Sequence, residues 1–104
     1  MGYKVIATEQ AKEDYRNIVG YLLYKLYNDQ AASHFADQYT ATVKELANMA
    51  ESLTYCKNPR LAALGYRRIN FREMDYFFLY RVENGTVYID DIFHGSQDYE
   101  NKLR

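Results

Sequence analysis

Arg68, Arg72 and His94 are the side chains of this sequence best suited to act on a phosphate or an acidic surface. A guanidinium neutralises and hydrogen-bonds an oxyanion, and an imidazole titrates near neutrality, so it can serve as base or acid. Around them, Arg67, Arg81, Tyr66 and Tyr99 could contact a partner or a phosphate, the tyrosines by stacking as well as by hydrogen bonding. Each also has a plainer reading. His94 can tie a strand end to the tail, Arg67 and Arg68 can pair with carboxylates such as Asp90 and Asp91, Tyr80 can simply pack, and Asp98-Tyr99 can anchor the C-terminal tail.

Charge is unevenly divided along the chain. Residues 55–82 hold six Lys/Arg (Lys57, Arg60, Arg67, Arg68, Arg72, Arg81) against two Asp/Glu, whereas residues 1–54 hold five against seven and residues 83–104 two against five. Only the middle segment could attract a polyanion by its local field, and the net charge of −1 is unlike that of a dedicated nucleic-acid binder.

The elements that must position these groups follow from periodicity. Tyr3 to Thr8 reads as an opening strand, and Thr8 is a natural N-cap for a helix with Ala11, Tyr15, Ile18, Val19, Leu22 and Leu26 on one apolar face. Asn28-Asp29 breaks that pattern and can cap a second helix, whose Ala32, Phe35, Ala36, Tyr39, Val43, Leu46, Ala47 and Ala50 repeat it. So short a link predicts an antiparallel helical hairpin. Ser52 to Leu64, with the only proline, predicts a loop containing a helical turn at Arg60 to Leu64.

Tyr66 to Arg72 alternates, with Ile69 and Phe71 facing the core and Tyr66, Arg68, Asn70 and Arg72 facing away. Tyr76 to Val82 is nearly unbroken apolar sequence, as in a central strand covered on both faces, and Asn84-Gly85 predicts a type I′ hairpin turn leading to a strand over Val87 to Phe93. The expected fold is therefore α+β: an N-terminal strand, a helical hairpin and a three-strand antiparallel meander. The helices pack on one sheet face and leave the other free for function.

At 104 residues the chain is expected to form one domain, 1–104, of ordinary globular composition, with 48% hydrophobic and 26% charged residues. Cys56 is the only cysteine, which excludes an intrachain disulfide and cysteine-rich metal sites, and it sits without an evident His partner. Neither a signal peptide nor a long apolar run is present, so a cytoplasmic protein without membrane contact is expected. No metal, cofactor or small-molecule substrate is called for.

The order of elements resembles the RelE/ParE superfamily of bacterial type II toxin-antitoxin modules, which includes plasmid stabilisation proteins. The resemblance rests on Ala11-x-x-x-Tyr15-x-x-Ile18, Gly65-Tyr66-Arg67-Arg68-Ile69, Leu79-Tyr80-Arg81-Val82, Val87-Tyr88-Ile89 and Ile92-Phe93-His94-Gly95-x-x-Asp98-Tyr99. It implies a toxin that inhibits growth and is neutralised by a cognate antitoxin. An acidic antitoxin segment over Arg67, Arg68, Arg72 and Arg81 would account for the charge map. Two targets occur in the family: DNA gyrase, inhibited without cleavage, and the ribosome with its mRNA, which is cut.

Cutting RNA through its 2′-hydroxyl needs a base, a cation for the phosphorane and an acid for the leaving oxygen. The ribonuclease branch carries an arginine in a Tyr-Arg-Leu-x-Tyr strand. Here the matching stretch is Tyr76-Phe77-Phe78-Leu79-Tyr80, with Phe77 in the arginine's place. The leaning is therefore to a ParE-like inhibitor of gyrase. The alternatives are an mRNA endoribonuclease of RelE type, using Arg68 and Arg72 on the phosphate and His94 as base or acid, and a degenerate module that only binds antitoxin.

Overall fold

The computed structural model describes residues 2–96. Its elements are β1 (Lys4–Ala7), α1 (Glu9–Gly20), a π-helical turn (Tyr21–Lys25), α2 (Asp29–Met49), α3 (Pro59–Ala63), β2 (Arg67–Asn70), β3 (Tyr76–Glu83) and β4 (Thr86–His94). The four strands form one sheet in the order β1-β4-β3-β2. β2, β3 and β4 are the antiparallel meander, while β1 lies parallel to β4 and makes the sheet mixed.

Local chemistry starts and stops these elements as the residue types suggest. The Thr8 side chain accepts from the Ala11 N–H at the start of α1, Asn28 accepts from Ala31 N–H at the start of α2, and Asn58 caps α3 with Pro59 in its first turn. Asn84 and Gly85 both take positive φ, 52° and 79°, as a type I′ turn requires.

One sheet face carries Phe78, Tyr80, Ile89 and Ile92 into the main core, against Ala11 and Leu22 from the first helical segment, Phe35 and Leu46 from α2 and Ala50 at its C-cap. Aromatic rings join the layers: Phe35 meets Tyr15, Phe71 and Tyr76 at centroid distances of 5.5, 5.6 and 4.9 Å. The buried Tyr80 hydroxyl donates to the Ala50 carbonyl at 2.6 Å, fastening the end of α2 to the central strand.

The opposite face is not left free. Phe77, Leu79 and Phe93 project there and form a second apolar cluster with Cys56 and Leu61, beneath α3 and the segment before it. Cys56 is thus a small core residue, 8% exposed.

Two further expectations fail for physical reasons. Leu26 is half exposed rather than part of the α1 stripe. The Leu26 N–H donates to the Tyr21 carbonyl, an i to i+5 bond, so the π-turn rotates the following side chains off the buried face. The strand expected over Tyr66 to Arg72 ends at Asn70, and Arg72 no longer follows its alternation.

β4 outruns β1, and α1 takes over the edge this exposes. The Thr8 hydroxyl donates to the Asp90 carbonyl at 3.3 Å, and the Asp14 carboxylate accepts from the Ile92 N–H at 3.0 Å. Asp14→Ala would orphan a nearly buried backbone donor. It is expected to lower unfolding free energy by about 1–3 kcal/mol in urea titrations, with Asp14→Asn recovering part of the loss.

Candidate functional site

The arginines of the basic segment lie on different sides of the sheet. In β2, Arg67 pairs across to Tyr80 and Arg68 to Leu79, so alternation sends Arg67 to the helix side and Arg68 to the other. Arg67 donates to the Glu51 carbonyl at 2.9 Å and also to the Leu53 carbonyl, and its guanidinium lies 4.1 Å from the Tyr55 ring centroid. It therefore satisfies carbonyls beyond the C-terminal end of α2. Arg68 donates to Asn70 Oδ1 at 2.8 Å and lies 3.7 Å from the Phe77 ring centroid.

Arg72 forms a two-point pair with Glu45 of α2, 3.1 Å from Nε and 2.7 Å from the terminal nitrogen. The bond and field of Glu45 raise its pKa, keeping it charged. It faces the helices, not the face of Arg68 that the strand alternation suggested.

Arg81 sits beside Asp90, Glu83 and the Tyr88 ring, with Nε 2.9 Å from Asp90 Oδ2. The same oxygen accepts the Tyr66 hydroxyl at 2.9 Å. Burial, and then the bond to Asp90, push the Tyr66 phenol up. A shift of register between Leu79 and Tyr80 makes this cluster possible. Asp91 stands opposite Leu79 and Ile89 opposite Tyr80, so Asp90 is the extra residue of a bulge. Asp90 thus serves Arg81 and Tyr66 rather than Arg67 or Arg68.

His94 is the partner of Tyr76 at the far end of β4, on the helix side. Its ring stands edge-on to Tyr76, 5.2 Å between centroids. Nδ1 lies 2.7 Å from Ser96 Oγ and accepts the Ser96 N–H at 3.2 Å, which places the proton of the neutral ring on Nε2. Nε2 is 3.9 Å from Asp75 Oδ2. Gly95 belongs to this junction: a Cβ there would lie 1.9 Å from Asp75 Oδ1.

Arg68, Arg72 and His94 are therefore not gathered into one site. Arg68 projects from the sheet face opposite His94, and Arg72 is held by Glu45 on α2. Nor do Arg67, Arg68, Arg72 and Arg81 make one basic surface, since Arg67 and Arg72 reach toward the helices and Arg68 and Arg81 lie on the other face. Tyr99 and Asp98 lie outside the described residues.

Two concavities stand out. One of about 330 Å³ is polar, with Arg60, Tyr66, Asp90 and Asp91 among its walls. The other, about 600 Å³, runs between the helical corner and the end of β4, lined by Ile18, Tyr21, Leu22, Leu26, Tyr76 and His94 among others. The residues on that corner were missed by the sequence reading, which assigned Leu26 to the core. Three tyrosines within residues 21–27 were the available signal. Among the described residues no group of three or more His, Cys, Asp or Glu could hold a metal ion, and no helix is long and apolar enough to cross a membrane.

A family model described as ParE toxin of type II toxin-antitoxin system, parDE, matches residues 5–99. Among solved structures, a chain described as the chromosomal ParDE TA system from P. aeruginosa is similar, with TM-score 0.72 and 18% identity over 88% of this chain and 95% of that chain. At that identity the likeness concerns the fold. No curated protein matches significantly in sequence.

Proposed function

Since the chain belongs to the ParE toxin family of type II toxin-antitoxin systems, we propose that it acts as a non-cleaving inhibitor of DNA gyrase, neutralised by a cognate antitoxin. The observation that carries this reading is the environment of Phe77. It occupies the position where the ribonuclease branch carries its arginine, it is fully buried, and Arg68 covers its ring. A phenyl group can neither neutralise a phosphorane nor donate a hydrogen bond to it.

The placement of the other candidates supports the same reading. Phosphoryl chemistry needs base, cation and acid around one reacting atom, whereas Arg68 and His94 project from opposite faces and Arg72 is paired with Glu45. A binding toxin has no such requirement. It needs only a surface, and the arginines can then be spent inside the fold.

Induction of the toxin without antitoxin is expected to stop growth and relax plasmid supercoiling, leaving mRNA 5′ ends unchanged. His94→Ala should not alter the RNA pattern. Codon-phased cuts that disappear in His94→Ala would replace this reading with the endoribonuclease using Arg68, Arg72 and His94. Growth indifferent to induction would mark a module that only binds antitoxin.

A further inference from the structure

The chain has two histidines, and each faces a carboxylate of the same loop, Phe71 to Asp75, between β2 and β3. His34 of α2 holds Nε2 3.4 Å from Glu73 Oε1, and His94 at the end of β4 holds Nε2 3.9 Å from Asp75 Oδ2. Three other contacts fasten this loop: Arg72 pairs with Glu45, the Glu73 N–H donates to Gln38 Oε1, and the Gly95 N–H donates to the Asp75 carbonyl. Between pH 5 and 8 an imidazole changes its charge, whereas carboxylates and guanidinium groups ordinarily do not. The two histidine contacts are therefore the ones that a proton can turn on and off.

The His94 ring has two uses that exclude one another. Neutral, it accepts the Ser96 N–H on Nδ1 at 3.2 Å and so fastens the turn that follows β4. Protonated, it donates from both nitrogens. Nδ1 can then donate to Ser96 Oγ, 2.7 Å away, but the Ser96 N–H loses its acceptor and a positive charge faces Asp75. Among the described residues, the other titratable groups facing this ring are the phenols of Tyr76, edge-on to it, and Tyr21, across the groove. Phenols ordinarily carry no charge in this pH range. On the His34 side, Glu73 faces the ring from the loop, and Asp37 lies one turn along α2 itself.

We propose that the β2–β3 loop is a proton-operated latch. Acidification charges both imidazoles, holds Glu73 against α2 and Asp75 against the end of β4, and at the same time releases the Ser96 N–H. Rising pH reverses both changes. The loop and the turn at Ser96 therefore respond to pH in opposite directions, which a general loss of stability in acid cannot imitate. The four side chains are all partly exposed, so each contact has the modest strength of a surface pair and the latch adjusts the loop without unfolding the domain.

The test is amide hydrogen exchange of the full chain by NMR between about pH 5.5 and pH 7.5 at low salt, with rates corrected for the intrinsic pH dependence of exchange. Protection of the Glu73 and Tyr76 amides should rise about two- to fivefold on acidification, while that of Ser96 falls. Salt at about 1 M should flatten the response of the loop. His34→Gln should remove the response at Glu73, and His94→Gln the responses at Tyr76 and Ser96. Protection of Glu73 and Tyr76 that stays level or falls in acid would overturn the latch, and the wild-type profile alone decides this. A rise that persists unchanged in the double variant His34→Gln/His94→Gln would overturn it as well, by assigning the proton to other groups.

Discussion

Phe35→Ala is expected to lower the unfolding free energy by about 3–5 kcal/mol, the range for removing a large ring from a packed core. Phe35 has no exposed surface, and it is the ring against which Tyr15 of α1, Phe71 after β2 and Tyr76 of β3 all pack. The substitution therefore removes contacts between the two helices and between helices and sheet in one step. Native domains have about 5–15 kcal/mol in hand, so much of the stability would be lost. Urea or thermal unfolding measures it directly. Phe35→Leu, which keeps most of the volume, should cost clearly less. A loss below about 1 kcal/mol for Phe35→Ala would mean that the layers are not joined through this ring.

The second large effect lies at alkaline pH. Burial pushes the Tyr80 phenol up from its ordinary 10.0 to about 12, and its hydroxyl donates to the Ala50 carbonyl. The folded state favours the neutral phenol. The resulting stability is fully present below pH 10, the unfolded value, and is lost as pH rises toward about 12. Over that interval the contribution amounts to about 2–3 kcal/mol. Tyr39 and Tyr76 are raised by burial in the same direction and steepen the same limb.

Tyr80→Phe should cost about 1–2 kcal/mol near neutrality, by leaving the Ala50 carbonyl without its donor. It should also make the alkaline limb of a stability-against-pH curve shallower. An unaltered limb in Tyr80→Phe would show that this phenol is not what the fold protects.

What could be read from the residues in advance was governed by distance along the chain. Thr8, Asn28 and Asn58 cap helices through bonds to residues two or three positions away, and Asn84-Gly85 closes its turn locally, so residue type and spacing suffice. The nearly unbroken apolar run from Tyr76 to Val82 likewise marks a strand covered on both sides. Leu26 was misplaced because the i+5 bond that rotates it away leaves no mark in hydrophobic periodicity, which assumes an unbroken α-helix.

The candidate site was harder to read because its contacts are long-range. Arg72 turns to Glu45 and Arg67 to the carbonyls of Glu51 and Leu53, partners that no local pattern announces. The bulge that turns Asp90 toward Arg81 and Tyr66 likewise depends on pairing with β3. The departure at Phe77, by contrast, was visible from the strand's own sequence. Its burial beneath Arg68 gives that substitution a physical role in the second core.

The most direct measurement is a titration of purified toxin into DNA gyrase supercoiling relaxed plasmid, with antitoxin added back in a parallel series. The proposed function predicts loss of supercoiling with increasing toxin, restored by antitoxin, while His94→Ala inhibits as the wild type does. Supercoiling that persists at large toxin excess would contradict it and remove gyrase as the target.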